Sequence, residues 1–493
     1  MSPHAAPHPE PPTPAASSPA LSRSTSHTSF PSAQQTPYSS SVQLEQLQLG
    51  DGEAAGGQEL APYDRGRQAW GFVAASFVLE CFIWGYSYCY ATVLVYLRSH
   101  DPWQKFALSS LSAIGTTQLG IQLMAPLFII VIFRRYPDWV RTILWTALVV
   151  NCGSMFVSSW ATSVWQLILL QGVLGGTSGA ILYTPVFLWV NEWFIVRRGL
   201  AWGIIQAGTG TGGFLFPWLL DALLGKLGFR WMCRIWAAIT LVVFSVSISF
   251  VHPRIPLAVH RGNRGPWIPR VNWRFLRAPV FLLFAACCLF SALSWMPVSI
   301  YLATYANAFS TSTTTTNLVV GLLNLFASIG AALSGLLSDY SYPAANVICG
   351  VGAAVVSLCA WGFADTLGKT ILFVALFGIV SQQVATWSGA TRDLAAQDPM
   401  TSTLIVTLFS VVRGVASLVM PAVSDALYNQ AAVDSKQTWG RFGFEKMIAF
   451  VGLNAFLLAL SGLAVGWASR AQSRKRRASF AVPGGGSGAG GLR

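Results

Sequence analysis

The chain has 493 residues, 53% of them hydrophobic and only 10% charged, with 20 Trp and 30 Phe. A soluble globule has too little interior for that much apolar surface, so the composition excludes a soluble domain and points to an integral membrane protein. The formal net charge of +13 is spread over separate short segments, and no soluble basic domain exists to hold a duplex, which excludes nucleic acid as a partner.

Residues 1–62 are dominated by Ser, Pro, Thr, Ala and Gln, as in PHPEPPTPAASSPALSRSTSHTSF. They hold too few bulky apolar residues to offset the entropy of ordering a chain, and a disordered tail is expected. Twelve apolar stretches follow, at 69–97, 107–133, 139–160, 164–190, 199–221, 231–251, 279–305, 317–338, 344–364, 369–390, 401–424 and 446–468. Each reaches the length of about 20 residues that crosses a bilayer core. The first is no cleavable signal peptide, because the polar tail precedes it and it is too long for an h-region. Residues 470–493 combine a basic cluster with a glycine-rich end and are also expected to be disordered. Within them RKRRAS suits a basophilic kinase acting on Ser479; the alternative is that Arg474, Lys475, Arg476 and Arg477 hold the chain end to anionic lipid.

Placing the N-terminus in the cytoplasm puts Arg134, Arg135, Arg141, Arg197, Arg198, Arg254, Arg261, Arg264, Arg270, Arg274, Arg277 and Arg392 in the inner loops. The outer loops then hold Arg98, Lys105, Lys226, Arg230, Lys369, Lys436, Arg441 and Lys446. This inward excess of positive charge predicts two cytoplasmic termini. The longest interior connection, residues 252–278, carries six arginines and no acidic residue. It divides the membrane part into a six-helix bundle over 63–251 and another over 279–469. An even count split by a basic cytoplasmic linker is what a transporter of two repeated bundles requires, with its substrate site near the midplane. The fold class expected is therefore all-α, with twelve transmembrane helices.

Other residue types help by exclusion. The eight cysteines all fall inside predicted helices, where they act as small packing residues, and the six histidines lie in tails or loops. No lysine sits mid-helix, no nucleotide-binding Gly-x-x-x-x-Gly-Lys-Ser/Thr loop occurs, and HExxH and GxSxG are absent. No metal, cofactor or enzymatic activity is expected.

Two charges do sit mid-membrane, Glu80 in helix 1 and Arg413 in helix 11, and each costs several kcal/mol unless it faces a cavity or a partner. Helical spacing aligns Ser76, Trp84, Ser87 and Tyr88 with Glu80, and Thr403, Thr407, Ser410 and Ser417 with Arg413. Both faces therefore look inward. The functional reading makes Arg413 the counter-charge of an anionic substrate and Glu80 a proton-coupling or gating carboxylate; the alternative is that each is neutralised by a neighbouring helix and serves packing alone. Further lining candidates are Tyr183 beside Pro185, Gln206, Trp295 beside Pro297, Asn324, Gln382, Gln383 and Trp387, since polar groups in lipid seek partners inside the bundle.

Glycines recur in helix 4 at Gly172, Gly175, Gly176 and Gly179, and in helix 5 at Gly199, Gly203, Gly208, Gly210, Gly212 and Gly213. Small faces let helix backbones approach closely and suit helices that rock against each other. Between these helices lie Arg197 and Arg198, in reach of the C-terminal dipole of helix 4, where cations are favoured. They belong to the mouth of a pathway, as a conformational element or as a topology anchor.

The stretch GTSGAILYTPVFLWVNEWFIVRRGLAWGIIQAGTGTGG, followed by GFRWMCRIWA, resembles the monocarboxylate-transporter branch of the major facilitator superfamily, particularly its fungal members. The match runs through Trp193, Phe194, Arg197, Arg198, Leu200, Ala201, Gly203, Gly208 and Gly212. The entry DRGRQAWGFVAASF is similar to that branch's Asp-x-Gly start at Asp64, Gly66 and Trp70, and the superfamily's Gly-x-x-x-Asp pattern follows helix 8 as Gly335 and Asp339. The resemblance covers residues 63–470. It implies a carrier working by alternating access. Animal members of the branch use a lysine in helix 1 and an Asp/Arg pair in helix 8, whereas here helix 1 has no lysine and helix 8 no charge.

The expected function is secondary transport of a small organic solute, a monocarboxylate-like anion by proton symport being favoured. Efflux of a metabolite or neutral solute is the first alternative, and a nutrient sensor on a transporter scaffold the second. The expected partners are a small-molecule substrate, protons and the lipid bilayer, with the carrier a monomer. The plasma membrane is the favoured location and the vacuolar membrane the alternative.

Overall fold

The structure is a computed structural model that describes residues 61–255, 273–309, 312–395, 398–429 and 438–480. The predicted N-terminal tail falls outside these residues except at its end, as do most of the 252–278 linker and residues 481–493. Among the described residues the chain is helical, with no strand.

The elements follow the apolar stretches closely. α1 (Gly66–Ser99) is followed by α2, made of Ser110–Met124 and Pro126–Arg135 bent by 46°, the bend falling where Pro126 lacks the amide that would continue the ladder. α3 (Pro137–Trp160) and α4 (Val164–Trp193) come next. The helix Arg198–Phe250 has 53 residues and would be about 80 Å long, more than twice the ~30 Å hydrocarbon core. It is broken at Gly228, whose φ of 77° is open to glycine at no steric cost, so it is taken as α5 (198–227) and α6 (229–250).

The second half repeats this plan. α7 (Pro279–Asn307) is followed by another double-length helix, Thr314–Trp361, which is interrupted by extended backbone at Ser341 and divides into α8 (314–340) and α9 (342–361). α10 (Leu367–Leu394) and α11 (Met400–Leu427) precede α12 (Glu445–Phe480). With both long helices divided, the described residues hold twelve segments of membrane length. α12 runs on past residue 469 to Phe480, so the start of the expected disordered tail is helical. The linker is also ordered at its ends, where Trp273–Arg277 forms a 3-10 turn with Phe275 buried.

The core shows which side of the molecule is closed. Near the side that holds residues 61 and 480, here the terminal side, one continuous cluster joins both halves through Phe72, Trp193, Trp202, Tyr342, Trp387 and Phe409. On the far side the apolar residues separate into two clusters. One, around Trp103, Phe216 and Trp236, belongs to the first half; the other, around Tyr305, Trp361 and Phe444, belongs mainly to the second.

Close helix contacts depend on glycine at a few positions. A Cβ at Gly208 would sit 2.4 Å from the Phe77 carbonyl oxygen, and one at Gly212 would sit 2.9 Å from the Gly85 backbone, so this face of α5 lies directly on α1. A second face packs on α8, where a Cβ at Gly203 would lie 2.5 Å from the Ala331 carbonyl oxygen. The small face of α4 meets a different partner: Gly176 and Gly179 pack against Gln118 and Gln122 of α2. The glycines of α4 and α5 thus serve separate interfaces.

Gly208→Val forces a branched side chain into the α1–α5 contact, and overpacking of this kind costs about 1–3 kcal/mol. The thermal midpoint of the purified protein, followed by intrinsic fluorescence, should fall by several degrees, whereas Gly153→Ala, in a helix interior where an added Cβ meets nothing within 4 Å, should not lower it.

Candidate functional site

Between the halves lies a cavity of about 410 Å³, walled by α1, α2, α4 and α5 from the first half and α7, α8, α10 and α11 from the second. Its volume is in the range of sites that enclose a drug-sized molecule. It reaches toward the far side at Leu94, Ser112, Ile300, Val320 and Pro421 and is floored toward the terminal side by Phe187, Trp202, Val384 and Trp387. This is the geometry of a carrier open on one side only.

Most of the side chains singled out from the sequence meet here. Glu80, Trp84, Tyr88, Tyr183 and Gln206 line the cavity from the first half, and Trp295, Asn324, Gln382, Trp387 and Arg413 from the second. Gln383 does not. It is wholly buried, donates to Cys288 Sγ (3.8 Å) and accepts from Trp387 Nε1 (3.3 Å). The reason is local: α10 breaks at Ser381 and Gln382 and resumes as a 3-10 turn over Gln383–Thr386, so the two glutamines do not follow one helical period. On the Arg413 helix Ser410 and Ser417 line the cavity, while Thr403 and Thr407 do not.

Glu80 is 2% exposed and held by donors of its own half. Thr209 Oγ1 donates to Oε1, and the Tyr183 hydroxyl joins the network through Gln206 at 3.2 Å. With its amide nitrogen turned toward the acid, Gln206 donates to Oε1 and Oε2 at 3.1 and 3.3 Å, an orientation assigned from the network. Thr209 was not singled out from the sequence, although it lies three residues after Gln206 and so on the same helical face. Trp202, four residues before Gln206, was detectable in the same way.

Arg413 stands in contrast. It is half-buried on the cavity wall, and among the described residues its guanidinium makes no hydrogen bond and no ion pair. Glu80 and Arg413 are therefore electrostatic neighbours without direct contact. A direct ion pair between the two, which would add weight to the packing-only alternative, does not occur among the described residues.

Several aromatic walls of the cavity are fixed in place. Trp202 Nε1 donates across the halves to the Val384 carbonyl (3.3 Å), and Trp387 is tied to Gln383 as above. Trp295 stacks on Phe377 with an interplanar angle of 7°, and Trp84 meets Tyr183 edge to face.

Below the floor, the turn between α4 and α5 is held by two carboxylates. Asp64 accepts from the amides of Ile195, Val196 and Arg197, the last at 2.8 Å. Asp339, from the other half, accepts from Gly199 N (2.6 Å) and Leu200 N (2.8 Å), the open donors at the start of α5. Arg198 donates to the carbonyls of Phe194 and Asn191 (both 3.3 Å) and so caps α4 as its position predicts. The Arg197 side chain is exposed. Asn191 also donates across the halves to Ser402 (3.4 Å).

The chain matches the family model described as "Major Facilitator Superfamily" over residues 76–421. It is 27% identical over 325 residues to "MFS-type transporter 1" of Ophiocordyceps sp., covering 64% of this chain and 69% of that protein. It is 26% identical over 376 residues to the "Aspyridones efflux protein" of Emericella nidulans, covering 74% and 73% of the two chains. Among solved structures, the human organic anion transporter MFSD10 superposes with a TM-score of 0.54 at 17% identity, covering 81% of this chain and 100% of the other, a likeness of fold.

Asp339→Ala removes the acceptor for two helix-start amides, a loss of about 0.5–2 kcal/mol. It should favour opening on the terminal side. In a background without native cysteines, Ser402→Cys should react with a membrane-impermeant maleimide at least twofold faster when Asp339→Ala is added. An unchanged labelling rate in folded protein would show that the contact does not hold the halves together.

Proposed function

This chain belongs to the Major Facilitator Superfamily, and on that footing we propose that it exports an organic acid, together with a proton, by alternating access. One observation carries the reading: Arg413, whose guanidinium has no hydrogen-bond or ion-pair partner among the described residues, lines a cavity bounded by both halves. A half-buried cation with no directly bonded counter-charge becomes costly once water is excluded, and an anionic substrate supplies a direct partner, in a bidentate geometry that suits a carboxylate.

The cavity's size favours an acid larger than lactate. Six non-hydrogen atoms, each given the roughly 30 Å³ share of a water molecule, fill at most about 180 Å³. That is less than half of the 410 Å³ present. The reading therefore moves from a small monocarboxylate to a bulkier metabolite. Export is the direction in the name of the Emericella relative.

Proton coupling follows from charge balance. An empty cavity in which Glu80 is ionised opposite the Arg413 guanidinium is neutral. An anion brought to Arg413 leaves one negative charge in excess, and a proton taken up by Glu80 restores neutrality. Anion and proton then favour each other's binding, which is symport rather than exchange. Thr209 and Gln206 of its own half already hold the Glu80 carboxylate, so the substrate contact is assigned to Arg413. The positive-inside pattern supports cytoplasmic chain ends, and in that orientation the cavity of this conformation faces outward. The carrier acts as a monomer, and the plasma membrane is its proposed location.

The test uses proteoliposomes loaded with a panel of bulky carboxylic acids and a pH dye. Efflux of a recognised acid should make the interior more alkaline. Arg413→Ala should reduce acid efflux at least tenfold, in line with the ~1.5–3 kcal/mol of a charged hydrogen bond. Glu80→Gln should still bind the acid but give no coupled pH change. If no acid moves through folded protein, or if Arg413→Ala transports normally, the reading is wrong.

A further inference from the structure

Away from the cavity, the far-side ends of α3 and α6 hold one arginine in a fixed position. Arg234 lies within the first turns of α6, which enters the membrane from the far side at Phe229. A helical side chain leans toward the N-terminus of its helix, so Arg234 reaches back toward the start of α6 and away from the midplane. Its guanidinium carbon lies over two indole rings, 4.9 Å from the centre of Trp160, the last residue of α3, and 5.2 Å from that of Trp231. Nε donates to Ser159 Oγ at 3.2 Å.

Helix length sets the depth of this group. The segment 229–250 rises about 33 Å, close to the ~30 Å hydrocarbon core, so the start of α6 and the end of α3 mark the far boundary of that core. Trp160 and Trp231 are 54% and 55% exposed, on a surface that meets lipid, and tryptophan is favoured at this depth. The guanidinium therefore lies at the level of lipid phosphates.

Two features separate Arg234 from a side chain that only floats at the interface. Contact with two indoles and a bond to the buried Ser159 hold the guanidinium before anything binds, so little side-chain entropy is left to lose. Only Nε is used: among the described residues neither Nη makes a hydrogen bond, and both ion pairs belong to other side chains. That open pair of nitrogens is a fork suited to two oxygens of a phosphate. Arg230, exposed and four residues earlier, adds a second positive charge on the same helical face. Toward the midplane the outward surface turns apolar, with Phe156 and Val157 of α3 and Leu241 and Val242 of α6 exposed. An anion at the boundary with hydrocarbon beneath it is the chemistry of a phospholipid.

We propose that the seam between α3 and α6, which touch at Cys152 and Thr240, binds one anionic phospholipid of the far-side leaflet, its phosphate on Arg234 and its acyl chains along the apolar sides of both helices. A headgroup that carries its own cation is repelled in part by Arg230, so a net negative headgroup fits better than a zwitterionic one. Arg234 is no part of the cavity wall, and this site stands independently of the organic-acid reading.

Native mass spectrometry of the full chain in detergent tests it with phosphatidylglycerol against phosphatidylcholine of the same acyl chains, and with sn-glycerol 3-phosphate as the phosphate without chains. Phosphatidylglycerol should bind at least fivefold more tightly than phosphatidylcholine, and glycerol phosphate should not bind measurably. Arg234→Gln should weaken phosphatidylglycerol at least tenfold, whereas Arg98→Gln, at another exposed far-side arginine, should leave its affinity unchanged. Should the glutamine variant fail to fold, Arg234→Lys, which keeps the charge and loses the fork, takes its place and should weaken binding at least threefold. Equal affinity for the two lipids, unchanged affinity in the folded Arg234 variant, an equal loss in Arg98→Gln, or glycerol phosphate bound as tightly as the lipid overturns the proposal.

Discussion

The start of α5 is the point on which the rest of the structure depends. Its open amides are taken by Asp339 of the opposite half, while Asp64 of its own half takes the amides of the turn just before it. A helix N-terminus carries partial positive charge, and a carboxylate placed there is bonded and electrostatically favoured at once. α5 therefore begins in a position set by both halves. From that fixed start, its two glycine faces lie on α1 and on α8, and the intervening face presents Trp202, Gln206 and Thr209 to the cavity. The closed floor, the seating of Glu80 and the apposition of the halves all follow from where this one helix is held.

Much of this was legible in the sequence because membrane segments announce themselves by length. Among the described residues the twelve apolar stretches correspond to α1–α12. The inward direction of Glu80 and Arg413 was legible too, since a charge in hydrocarbon has few stable places to go. What periodicity could not supply was anything that depends on a helix ceasing to be regular. Gln382 and Gln383 are adjacent polar residues in an apolar run, and only the break in α10 decides that one lines the cavity and the other fixes Trp387.

Partner identity was equally hidden. The glycines of α4 and α5 gave the small faces correctly but not their mates, because a small face is compatible with any helix brought close enough. The Asp64 and Asp339 positions stood out as family-like motifs, yet their joint action on one turn is a tertiary fact, made by residues 275 positions apart in the chain. Thr209 and Trp202 were within reach of the same spacing argument that found Gln206, and they became visible as functional neighbours only once Glu80 was seen to need donors.

The separation of Glu80 from Arg413 bears directly on how an empty carrier differs from a loaded one. Each charge belongs to a different half, and the acid is satisfied by its own half while the guanidinium is not. In the conformation open to the far side, water in the cavity can solvate Arg413. Closing that side without a ligand removes the water and leaves a cation in low dielectric, where an unpaired charge costs several kcal/mol. Closing it around an anion replaces the water by a counter-charge and removes most of that penalty. On the proposed reading the loaded protein passes through the occluded state more readily than the empty one. Such a difference between two states is all that coupling of transport to substrate requires, and in that reading it arises from Arg413, which has no partner among the described residues.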